Sequence, residues 1–150
     1  MGRILALDPG EARMGVAISD EHRVLARGLT TLSGRARSQW IMRLKELVER
    51  FQVEEIVVGL PRNMNGSLGP RAQAALSFAE EVRSQLGIPV RTWDERLSTV
   101  SARRALIESG TRRSARSREA LDRVSAAIIL QGYLDSLSCE RQRNISTRGD

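Results

Sequence analysis

A carboxylate closes an apolar strand near the start of the chain, and few architectures tolerate that. Ile4, Leu5, Ala6 and Leu7 are apolar at consecutive positions, as a strand covered on both faces requires, and Asp8 then interrupts the run. An acid at that point is costly unless something meets it. Pro9-Gly10 makes a turn, Gly15 opens a second strand, and Val16, Ala17 and Ile18 rebuild the apolar pattern before Ser19-Asp20 ends it. The stretch 4–20 therefore reads as two adjacent antiparallel strands. It makes Asp8 the first ligand of a metal site on which later carboxylates converge.

The rest of the chain alternates strand and helix. A polar turn at 20–23 holds the only histidine, His22, as a solvated loop residue, and residues 24–30 complete an antiparallel meander. Helical spacing at 37–51 sets Trp40, Ile41, Leu44, Leu47, Val48 and Phe51 on one core-facing side. The short β-branched run 55–60 has the character of a strand in a buried parallel pairing, and Pro61 stops it. A turn-rich loop at 62–69 leads to Pro70 at a first helical position, and a helix over 71–86 ends at Gly87. A fifth strand, 88–93, runs into Asp94, Glu95 and Arg96. Ser98 or Thr99 can cap a helix reaching about Ser109, with Gly110 ending it. Residues 111–118 are expected to form a mobile basic loop, and 117–137 a strongly patterned last helix. This is an α/β chain with a mixed five-stranded sheet, three antiparallel strands followed by two parallel ones, and helices on both faces. That layout is the ribonuclease H-like fold. The expected domain is 1–138, with 139–150 a flexible tail.

Composition narrows the chemistry. The 150 residues suffice for one domain, and the net charge of +6 is carried by 23 arginines and one lysine. Arginine's planar fork matches phosphate oxygens, which suits a nucleic-acid backbone better than a membrane surface. The charge is also uneven: residues 96–123 hold eight arginines against three acids, whereas residues 1–20 hold three acids and two arginines. The lone Cys139 excludes a disulfide framework and a zinc motif, and no leader or membrane span is evident, so a cytoplasmic protein is expected.

Asp8 ends the first strand, Glu95 follows the fifth, and Asp122 lies early in the last helix on the side of Ser125, Ala126 and Ile129. Each has an ordinary alternative: an Asx turn, a pairing with arginine, a solvated helix face. On one topology, together, they favour a site. Three converging acids need divalent cations, and Mg²⁺ or Mn²⁺, expected as two ions roughly 3.5–4 Å apart, would activate water and stabilise a leaving oxygen. Asp20 and Asp94 are weaker candidates that suit turn hydrogen bonds. Arg13 and Arg96 flank the centre, either on substrate phosphates or in salt bridges to nearby acids. The loop holding Asn63 could bring backbone amides to a phosphate, although an ordinary strand-to-helix connection explains it equally.

Four segments, LALDPGEARMGVAISD, VVGLP with NGSLGPRA, WDERLST and ALDRVSAAIILQGYL, occur in order over residues 4–134. Together the chain resembles the YqgF (RuvX) family of Holliday-junction-resolvase-like proteins, also described as pre-16S rRNA nucleases. The resemblance implies a cytoplasmic bacterial nuclease that matures the 5′ end of 16S rRNA, its acids falling on Asp8, Glu95 and Asp122. Substrate contacts would fall on Arg13, Arg96, Asn63 and Ser98. Ala12 stands where a basic residue is common, Ser98 replaces a threonine, and the lysine that often precedes the last Asp is either replaced by Leu121 or displaced to Arg118. Alternatives are a DNA junction resolvase and a non-catalytic RNA-binding assembly factor, acting as monomer or homodimer. An actin-type ATPase shares the strand order but needs two such lobes.

Overall fold

In the computed structural model, which describes residues 2–97 and 115–148, the apolar run at 4–7 lies in the central strand of a five-stranded sheet. The strands are β1 (Arg3–Pro9), β2 (Arg13–Ser19), β3 (Ala26–Ser33), β4 (Val53–Leu60) and β5 (Val90–Asp94), arranged β3-β2-β1-β4-β5. β1, β2 and β3 pair antiparallel, while β4 joins β1 and β5 joins β4 in parallel. The mixed α/β sheet is as the sequence predicts.

Strand alternation sorts the apolar residues into two cores. Leu5, Leu7, Val16, Ile56 and Val58 face α1 (Arg37–Phe51) and α2 (Pro70–Leu86), whose Trp40, Leu44, Phe78 and Val82 complete that layer. Ile4, Ala6, Ala17 and Val57 face the other way, onto Ala126, Ile129 and Leu130 of α3 (Ala115–Arg148). Pro70 opens α2, and Gly87 closes it with a φ of 67° that favours glycine. Among the described residues no helix is long and apolar enough to cross a membrane.

Several boundaries differ from expectation: β3 runs on to Ser33, β4 begins at Val53 and β5 at Val90, and the two largest changes have identifiable causes. β3 begins at Ala26 because the Asp20 carboxylate accepts the N–H groups of Val24 and Leu25 at 2.7 and 2.9 Å, which holds both residues in the turn. α3 is longer than expected at both ends. It takes in Ala115–Arg118, read from sequence as loop, and continues past Cys139 to Arg148, where a flexible tail was expected. No glycine or proline interrupts residues 133–148, and the exposed residues 138–144 lie beyond the last apolar contact at Leu137. The helix expected from Ser98 or Thr99 to Ser109, with Gly110 and residues 111–114, lies outside the described residues.

A buried polar cluster ties α3 to the sheet near the starts of β4 and β5. Glu55 is 9% exposed; its Oε1 accepts the Tyr133 hydroxyl at 2.6 Å and Arg91 Nε at 2.8 Å, with Arg23 3.9 Å from its Oε2. Burial, with the Glu55 contact, holds the Tyr133 hydroxyl above its ordinary pKa. Tyr133→Phe should lower stability by about 1–3 kcal/mol in urea unfolding, since it removes a charge-assisted hydrogen bond from a buried carboxylate. An unchanged midpoint would mean that the arginines alone satisfy Glu55.

Candidate active site

Asp8 continues the alternation of Ile4 and Ala6, so it belongs to the α3 face of the sheet, and it is only 6% exposed. Directly opposite it in β2 is Gly15. A Cβ on Gly15 would collide with the main-chain carbonyl of Asp122 and stand 3.2 Å from the Asp122 Cβ. The absent side chain thus lets α3 bring Asp122 down over the Asp8–Gly15 pair. One turn of the same helix repeats the device, because a Cβ on Gly28 would stand 2.9 Å from the Cβ of Arg123.

Glu95 begins the 3₁₀ turn Glu95–Leu97 that follows β5, and it is 1% exposed. Its Oε1 lies 2.8 Å from where a Cβ on Gly59 would stand, a space shared with the Ile129 side chain of α3. Gly59 and Val57 share one face of β4, so Glu95 also belongs to the α3 side. Burial pushes its carboxyl up to about 7; the positive charge of Arg71 works against that shift and the negative charge of Asp94 adds to it. The three acids chosen from sequence therefore share one face at one end of the sheet.

They are not yet one ligand set. Among the described residues no three His, Cys, Asp or Glu side chains lie close enough to hold an ion jointly. Asp122 instead accepts Arg13 Nε at 2.7 Å. The donor chemistry nevertheless fits a hard cation: every candidate ligand is a carboxylate oxygen, and Gly15 and Gly59 let the elements that carry two of them pack close to the sheet. Arg13 supplies the positive charge that Asp122 needs meanwhile. Gly15→Ala should tilt or lift α3, costing about 1–3 kcal/mol by overpacking and separating Asp122 from Asp8. Thermal unfolding would measure it; a wild-type melting curve would show that the close approach is dispensable.

The remaining candidates have local partners. Arg96 grips Asp94 through Nε at 3.1 Å and a terminal nitrogen at 2.7 Å, and reaches the Met64 carbonyl at 3.4 Å. That contact, the salt-bridge alternative for Arg96, holds the Asp94 carboxyl below its ordinary range. Arg13 likewise takes the salt-bridge alternative. Asn63 works inside its own loop, donating to Ser67 Oγ at 2.9 Å and accepting Gly66 N–H at 2.8 Å. Asp20 and Asp94 make the turn hydrogen bonds expected of them, and Ser98 lies outside the described residues. Sequence reasoning missed Gly15 and Gly59, which carry no side chain to read, and Arg71, whose field reaches Glu95 from the start of α2.

The ribonuclease H-like sheet, with the family it belongs to, makes this chain a nuclease of the resolvase class. Residues 2–136 match the family described as RuvX, Holliday junction resolvase, and the chain belongs to that family. It is 52% identical over 90% of its length, and 96% of the relative's, to a Moorella thermoacetica protein named "Putative pre-16S rRNA nuclease". Its fold is similar to that of Thermus thermophilus RuvC solved in complex with a Holliday junction substrate, with a TM-score of 0.54 and 17% identity, covering 92% of this chain and 96% of that one. The yeast mitochondrial Holliday junction resolvase Ydc2 gives a TM-score of 0.55 at 13% identity, covering 99% and 85%.

Proposed function

We propose that this chain is a divalent-metal-dependent nuclease that hydrolyses phosphodiester bonds of structured RNA in the 5′-end processing of pre-16S rRNA. The observation that carries the reading is the shared face of Asp8, Asp122 and the buried Glu95 at one end of the sheet. A pure binder of polyanions gains nothing from acids there, since they repel phosphate. The names of the curated relatives supply the RNA.

Asp8, Glu95 and Asp122 would hold Mg²⁺ or Mn²⁺, which when bound supplies a nucleophilic water and offsets charge on the phosphate. The chain's own residues do the rest. Near neutral pH Glu95 holds its proton part of the time and must release it to become a ligand. Asp122, paired with Arg13, would be available as a ligand only with that pair open, and the guanidinium would then be free to turn toward a phosphate oxygen. The glycines beneath Asp122 and beside Glu95 keep both carboxylates close to the sheet.

The test is cleavage of a pre-16S rRNA leader with Mg²⁺ or Mn²⁺, run in parallel with a four-way DNA junction. Metal-dependent cutting of the leader supports the proposal. Cutting of the junction alone replaces it with the resolvase reading, and tight salt-sensitive binding without cutting replaces it with an assembly factor.

A further inference from the structure

Across the end of β1 from the acidic face lies a cavity that the nuclease reading does not use. It has a volume of about 350 Å³, and the Pro9-Gly10 turn forms part of its wall. Arg35, Arg37 and Arg71 line it against one acid, Glu11, with Trp40 and Phe78 on its apolar side. Trp40 and Phe78 are 4% and 1% exposed and pack edge to face, with ring centroids 5.8 Å apart, so this side is rigid. Arg37 is held in place by Glu81 at 3.2 Å and by the Phe78 ring, 5.9 Å from its guanidinium carbon. Arg35 is exposed and makes no ion pair among the described residues.

We infer that this cavity is a subsite for one nucleotide of the strand being cut, its phosphate on the arginines and its base against the apolar side. The volume lies within the range of small-ligand sites, and cationic walls beside an apolar one match the two halves of a nucleotide. Position fixes its role. Pro9 and Gly10 follow Asp8 directly, so a strand draped over that turn has one nucleotide in the cavity while a neighbouring phosphate meets the acids. Arg71 serves both sides, since it lines the cavity and its charge acts on Glu95. The identity of the strand rests on the proposed function; the existence of the subsite does not.

The same chemistry would accept a free mononucleotide, and fluorescence separates the two. Trp40 lines the cavity and Trp93 packs in the other core, so Trp93→Phe leaves a single reporter. Without divalent cations, where cleavage cannot compete, a structured RNA with a single-stranded leader should change the Trp40 emission, whereas a nucleoside monophosphate at equal concentration should not. In the wild-type background Arg35→Ala should weaken RNA binding by on the order of tenfold. It should also lower the slope of log affinity against log salt by about 0.7–0.9, one phosphate contact. An equal response to the mononucleotide would overturn the strand subsite in favour of a free-nucleotide site. A silent Trp40, or Arg35→Ala binding as wild type with an unchanged salt slope, would overturn the cavity altogether. RNA that seats in the cavity but is never cut with Mg²⁺ or Mn²⁺ supports the subsite and refutes the nuclease reading, so the two failures are distinct.

Discussion

Asp8→Asn should leave a folded protein that cuts RNA only residually. The amide has the size and shape of the carboxylate it replaces, and at a position 6% exposed it fits the same space without the negative charge. Stability should therefore stay close to that of wild type. Cleavage of the rRNA leader should fall by roughly 10³-fold, about 4 kcal/mol of lost transition-state stabilisation. A second readout needs no turnover. Mg²⁺ at about 100 times its dissociation constant should stabilise the wild-type fold by about 2.7 kcal/mol, and Asp8→Asn should lose most of that increment. Unchanged cutting by this variant would remove the proposed centre.

Glu95→Gln should be inactive and yet more stable than wild type above neutral pH. The ordinary carboxyl value is 4.5, and in the fold burial raises it to about 7, so between those values the folded state binds more protons than the unfolded one. The stabilising contribution of the protonated group is complete below pH 4.5 and is lost as pH rises through 7. Its size is about 3 kcal/mol, the gap between the two values at about 1.4 kcal/mol per pH unit. Glutamine does not titrate, so the advantage of Glu95→Gln over wild type should be small at pH 4.5 and near its maximum at pH 8. Denaturant unfolding at the two pH values measures it directly. A constant difference would mean that Glu95 is not the group being desolvated. Added Mg²⁺ at pH 8 should narrow the gap by stabilising only the wild type.

The parts of this fold that announce themselves in sequence are those where a side chain breaks or keeps a pattern. The apolar runs of β1, β2 and β4 mark the centre of the sheet, and the periodicity of Trp40, Leu44 and Leu47 gives α1 its observed bounds, Arg37–Phe51. Asp8 was legible because it interrupts such a run. Glu95 was harder, since only the two-residue alternation separates it from Asp94, yet the structure buries Glu95 and pairs Asp94 with Arg96. The glycines that let α3 approach carry no pattern of their own, and their importance emerges only when the helix backbone is in place above them. Glu55 drew no notice in the run 55–60, because the Tyr133 hydroxyl that meets its buried carboxylate lies 78 residues away. α3 outran its apolar pattern because nothing in residues 133–148 breaks a helix, and absence of a breaker is a weak signal beside a fading hydrophobic stripe.

The ion pair between Arg13 and Asp122 spans 109 residues of chain. During synthesis the first strands leave the ribosome long before the helix that completes the acidic face. The nascent polypeptide thus carries Asp8 for most of its elongation with Asp122 still missing, and it gains a complete acidic face only when α3 docks onto Gly15 and Gly28.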